Sequence, residues 1–108
     1  MIEGLWIVQV HGPQGVGGGV VVFTKGQVLG GDSGFAYVGT YEEKGDVLKA
    51  RVAATHFDQN IQSVLGIPGD HDLVFEGKIK DDKIDATGAL VVYPDTKFVV
   101  QLSRHHKL

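Results

Sequence analysis

A cysteine-free chain of 108 residues makes one domain, 1–108, and excludes disulfides, thiolate nucleophiles and cysteine-ligated metals. Ten Lys and Arg against thirteen Asp and Glu leave a formal charge of −3. With no excess of cations to displace counterions, a nucleic-acid backbone is not the expected partner.

The opening Met1-Ile2-Glu3-Gly4 shows no basic stretch leading into an apolar one, so no export signal is expected. Apolar runs such as Val20 to Phe23 fall far short of the ~20 residues of a membrane helix. The expectation is a cytoplasmic domain without a membrane partner. Sixteen glycines, about twice the usual ~7% share, accompany only three prolines and no repeat period. Glycine at that density among Val, Tyr, Phe and Thr suits short strands and tight turns, and the predicted fold class is all-β.

Turn signals divide the chain at His11-Gly12-Pro13-Gln14-Gly15, Lys25-Gly26, Gly30 to Gly34, Glu43-Lys44-Gly45-Asp46, Pro68-Gly69-Asp70, Lys80-Asp81-Asp82-Lys83 and Tyr93-Pro94-Asp95-Thr96. Eight strands are predicted between them, over about 4–10, 17–24, 27–31, 35–42, 47–56, 71–80, 83–92 and 98–104. The first two, with Leu5-Trp6-Ile7-Val8 and Val20-Val21-Val22-Phe23, are apolar on both faces. A barrel exterior of that kind is either covered, here by the 57–70 segment, or forms a self-complementary dimer interface. The glycines of 12–19 do not make a phosphate loop: no Gly-Lys-Ser/Thr and no helix follow them. At Gly30-Gly31-Asp32-Ser33-Gly34 the carboxylate of Asp32 is expected to accept backbone N–H groups of its own turn while a glycine takes positive φ.

The later strands alternate. Phe35, Tyr37, Gly39 and Tyr41 share a face, as do Leu48, Ala50, Val52 and Ala54. Leu73, Phe75, Gly77 and Ile79 form a third apolar face, and Phe98, Val100 and Leu102 a fourth. Period two with one wet side means antiparallel sheet, and the short connections make sequential strands hairpin neighbours. The 57–70 connection is the exception, where Gln59 to Leu65 is expected to form one short helical turn ended by Gly66. Eight such strands close as an up-and-down barrel, which removes both edges. The small inward residues Gly39, Ala50, Ala54, Gly77, Ala86 and Gly88 leave two readings open: a taper that packs shut, or room for a ligand.

Constellations for chemistry are sparse. His56, Asp58, Asp70, His71 and Asp72 flank the long connection, but their spacing matches no compact metal motif, and no metal or cofactor is expected. His105 and His106 are placed in a frayed C-terminus. Ser33, His56 and Asp72 follow no recognisable triad order, so no catalytic residue is assigned and the chain is not read as an enzyme.

Two resemblances sharpen the reading. Gly4-Leu5-Trp6 resembles the G-x-W opening of lipocalin-type barrels, in which the indole closes one barrel end and stacks on an arginine of the last strand; Arg104 is in register to meet Trp6. More widely, Gly30-Gly31-Asp32-Ser33, Tyr37-Val38-Gly39-Thr40-Tyr41 and Ser63-Val64-Leu65-Gly66 resemble the GrlR-type negative regulators of type III secretion. That resemblance implies a small lipocalin-like barrel that dimerises, and that sequesters a transcriptional activator protein without a cofactor. It places partner contact on an acidic inter-strand loop, here Glu42, Glu43 and Asp46, with Lys44 interrupting them. The structural set is then Gly4, Trp6, Gly30, Gly31, Asp32 and Arg104, and the dimer runs through the first two strands. The alternative is a carrier of an apolar small molecule, with a cavity lined by Trp6, Tyr37, Phe75 and Leu102.

Overall fold

The computed structural model describes residues 1–63 and 69–108. Eight strands form a closed antiparallel barrel in the order β1-β2-β3-β4-β5-β6-β7-β8, with β8 returning to β1. They are β1 (Gly4–Gly12), β2 (Gly15–Thr24), β3 (Gln27–Gly31), β4 (Phe35–Lys44), β5 (Val47–His56), β6 (His71–Lys80), β7 (Lys83–Leu90) and β8 (Tyr93–Lys107). The up-and-down topology is the expected one: alternating apolar faces joined mostly by short turns make sequence neighbours hairpin partners, and β8 closes the barrel on β1.

Three sequence expectations change. No helix forms over 59–63, where the chain makes a turn and a bend; the remainder of the expected helical turn, Val64 and Leu65, and its terminator Gly66 lie outside the described residues. Asp58 and Asn60 explain the non-helical part, since the Asp58 carboxylate accepts the Asn60 N–H at 3.0 Å, a local turn that competes with a helix. The last hairpin turns at Val91-Val92 instead of Tyr93-Pro94-Asp95-Thr96, and residues 94–96 fall within a register break where Leu90 pairs Tyr93 and Ala89 pairs Lys97. Proline lacks the ladder donor, so Pro94 sits where the ladder is already broken. The C-terminus is not frayed: His106 pairs with Leu5 and Lys107 with Gly4.

The alternating faces carry the core as read from the sequence. Phe35, Leu48, Val52, Ala54, Leu73, Phe98, Val100 and Leu102 are buried, joined by Ile2, Trp6, Val8, Val21, Phe23, Val28 and Ile84. Outside β5 to β7, Lys49, Arg51, Glu76, Lys78 and Asp85 are exposed. An apolar interior with charges outside is the reverse of a membrane-spanning barrel's arrangement. Among the described residues no helix is long and apolar enough to cross a membrane.

Candidate functional site

One end of the barrel is sealed by Trp6, which is 0% exposed. Its indole Nε1–H donates to the Ile2 carbonyl at 2.8 Å, and its ring meets Phe23 edge-on at 6.0 Å. Arg104 pairs opposite Trp6 in the regular β1–β8 register, which shifts only at a bulge between Leu5 and Trp6, and the guanidinium lies 5.0 Å from the ring centroid. Only 11% exposed, that guanidinium also donates to Asp82 Oδ1 at 2.8 Å and to the carbonyls of Met1 and Glu3 at 3.1 and 3.3 Å. It therefore ties the N-terminal strap to the plug through a cation–π contact and two hydrogen bonds, with a third to the β6–β7 turn. Gly4 makes the approach of β8 possible: its φ is +151°, and a Cβ there would lie 2.3 Å from the His106 carbonyl oxygen. Trp6 and Arg104 are thus brought together across the β1–β8 pair, one residue pair beyond the bulge from Gly4 and Leu5.

The acidic turn is occupied from within. Glu43 Oε2 lies 3.1 Å from the N-terminal amine and Oε1 accepts the Ile2 N–H at 3.0 Å, so this side chain anchors the strap. Asp46 pairs with Lys78 at 2.9 Å, which holds its carboxyl below the usual range, and Glu42 lies 3.9 Å from Lys44. Each of the three acids has a cation beside it. With Gly45 at φ +61°, the segment is a tight hairpin and not an open anionic loop.

At the opposite end the barrel is hollow. A cavity of about 280 Å³ is walled mainly by apolar side chains, with Asp32, Ser33, Gln62 and His71 among its polar lining residues. Tyr37, Phe75 and Leu102 line it, and so do the small residues Ala50 and Ala86, whereas Gly39, Gly77 and Gly88 are closely packed. Trp6 is not among the lining residues, because it seals the other end. Asp32 organises the rim: Oδ1 accepts the N–H groups of Gly34 and Phe35, each at 2.9 Å, and Oδ2 accepts the Tyr37 hydroxyl proton. The turn chemistry expected of Asp32 is present, but Gly30, Gly31 and Gly34 do not have positive φ. Close strand approach is what Gly30 serves, since a Cβ there would lie 2.1 Å from the Val20 carbonyl oxygen. At Gly31 a Cβ would likewise meet the Phe35 carbonyl oxygen at 2.7 Å.

Burial, then the neighbouring Asp32, drive the Tyr37 phenol well above its ordinary value of 10.0. The neutral phenol is therefore favoured by the fold, and the sign follows: stability is unaffected below pH 10 and falls as the unfolded phenol ionises above it. An alkaline titration of tyrosine absorbance should show Tyr37 ionising only as the barrel unfolds. Tyr37→Phe should remove the Tyr37 share of that unfolding-linked step.

The histidines of the long connection do not assemble a centre. Phe35 stacks on His56 at 4.3 Å and 5°, and meets His71 at 5.3 Å. His56 Nε2 faces the Ile61 carbonyl at 2.6 Å, while its buried Nδ1 has no hydrogen-bond partner among the described residues. His71 Nδ1 faces the Gly69 carbonyl at 3.2 Å. Among the described residues no group of three or more His, Asp or Glu side chains is placed to hold a metal ion.

The outer surface carries a feature only half foreseen. Register places Leu5, Val22, Leu29 and Val38 in one row across β1 to β4, with Ile7 beside Val20 in the next row. Ile7, Val20, Leu29 and Val38 are 42%, 41%, 40% and 59% exposed. The described part of the 57–70 segment does not cover them: Phe57 and Asp58 donate to the Gly34 carbonyl at the hollow rim. Thr24, Gln27 and Thr40 form a polar border along one side. Sequence reading stopped at the first two strands; Leu29 and Val38 were detectable as apolar residues on the outward parity of strands three and four.

Neither a family model nor a curated protein matches this chain.

Proposed function

We propose that this protein acts by binding and not by catalysis. It self-associates through the outer face of β1 to β4 and serves as a regulatory barrel resembling the negative regulators of type III secretion, holding a protein partner in the cytoplasm. The observation that carries the reading is the apolar row Leu5-Val22-Leu29-Val38 with Ile7 and Val20 beside it. Six apolar side chains side by side on an exterior that carries charges over β5 to β7 are the pattern of a contact surface with a polar border. Because a two-fold dimer is isologous, one such patch suffices for both copies.

The internal pairing of Glu42, Glu43 and Asp46 bears on the partner. A basic protein would have to displace Lys78, Lys44 or the N-terminal amine to reach those carboxylates, so partner contact is better supported on the apolar face than on the acidic turn. Sedimentation equilibrium separates the possibilities. Wild-type protein is expected to be dimeric at micromolar concentration. Val38→Asp and Leu29→Asp should each weaken association at least tenfold, the scale of a buried unpaired charge, and Lys78→Asp should leave it unchanged. A wild-type monomer, or equal loss in all three variants, contradicts the proposal.

A further inference from the structure

We propose that the hollow end is a binding site for a compact, largely aromatic molecule that carries a hydrogen-bond donor and no negative charge. Size comes first. An apolar cavity of ~150 Å³ takes one benzene, and drug-sized ligands need ~300–1,000 Å³. At about 280 Å³ the barrel has room for a fused two-ring system and little more.

The walls set the character of the ligand. Phe23, Phe35, Phe75 and Phe98 line the space, and Phe75 meets Phe98 edge-on at 5.8 Å. Gly88 makes this pair possible, since a Cβ there would lie 2.6 Å from the Phe98 ring and 2.8 Å from Phe75. Rings held this way present both faces and edges to an aromatic guest.

Polarity at the rim sets the sign. Tyr37 gives its proton to Asp32, so its oxygen presents lone pairs alone. The Asp32 carboxylate offers about four acceptor sites and uses three, on Gly34, Phe35 and Tyr37. What remains is acceptor capacity, which a hydroxyl or amine N–H satisfies. No lysine or arginine is among the described lining residues, so a carboxylate or phosphate would face Asp32 with neither to compensate it.

The test uses 2-naphthol, naphthalene and 2-naphthoate as probes of one shape and three head groups, titrated calorimetrically into the full chain. Saturable binding of 2-naphthol is expected, tighter than that of naphthalene by about tenfold, as for one hydrogen bond to a charged acceptor. 2-Naphthoate should bind at least as weakly as naphthalene. Ala50→Phe, which places a ring in the cavity, should lower 2-naphthol affinity at least tenfold while the thermal transition stays cooperative. Amide chemical shifts of the wild-type protein supply a readout that needs no variant: 2-naphthol should move Phe35, Phe75 and Ala86 and leave Val38 and Lys78 in place. Absence of saturable binding at millimolar probe, tighter binding of 2-naphthoate, or shifts confined to the outer face would overturn the proposal.

Discussion

Trp6→Ala is expected to cost about 3–5 kcal/mol of stability, the range for truncating a large, fully buried aromatic side chain. The truncation removes more than ring volume. The Ile2 carbonyl loses its donor, Phe23 loses an edge contact, and the Arg104 guanidinium loses the face it lies over. Arg104 then holds the strap of Met1 to Glu3 above an empty space, so strap and plug should loosen together. Trp6 is the chain's one tryptophan, and urea unfolding is therefore best followed by far-ultraviolet circular dichroism. A loss below about 1 kcal/mol, well under that range, would mean that the indole does not seat the barrel.

A matched pair of glycine substitutions should move stability in opposite directions. Gly30→Ala places a methyl 2.1 Å from the Val20 carbonyl oxygen and 2.7 Å from the Val21 Cα, both main-chain atoms that cannot swing away. The cost should reach the upper end of the ~1–3 kcal/mol typical of overpacking. Gly18→Ala meets only the Val8 carbonyl oxygen at 3.6 Å, an ordinary contact at an ordinary φ. There the loss of unfolded-state freedom should win, giving a gain of about 0.4–1 kcal/mol. Chemical denaturation of the two variants checks both signs, and equal destabilisation would show that glycine serves flexibility here instead of close strand approach.

Strand order and barrel closure were readable because the strands from β4 to β8 alternate in phase and, apart from the long 57–70 connection between β5 and β6, join through short turns. Trp6 and Arg104 were readable because parity sets both on the inward face of the two strands that close the barrel. The departures share one cause: side chains that serve a purpose beyond their local signal. Pro94 reads as a turn but occupies a break in the β7–β8 ladder. Gly30 and Gly31 read as a corner but serve close strand approach. Glu43 reads as a surface acid of a recognition loop but clamps the N-terminus, a contact 41 residues distant in sequence that no local pattern contains. The cavity was legible only as a pair of alternatives, because small inward residues are compatible with a tapered core as well as a hollow one. The geometry divides them: Ala50 and Ala86 line space at the end opposite the Trp6 plug, while Gly39, Gly77 and Gly88 serve close packing.

The two ends and the outer face divide the work. Trp6, Arg104 and Glu43 close one end and fix the N-terminus; Asp32 and Tyr37 shape the rim of the other; the row from Leu5 to Val38 faces outward. Self-association through that row is the claim on which the binding role rests. The absence of cysteine permits its direct measurement, because a single introduced thiol carries the only spin label. Labels at Gln27→Cys, on the polar border of the row, and at Asp85→Cys, on the charged side of the barrel, should give two intermolecular distances. A defined distance from Gln27 is expected, and it is the shorter of the two. Reversed order, or no intermolecular distance from either site, would contradict that claim.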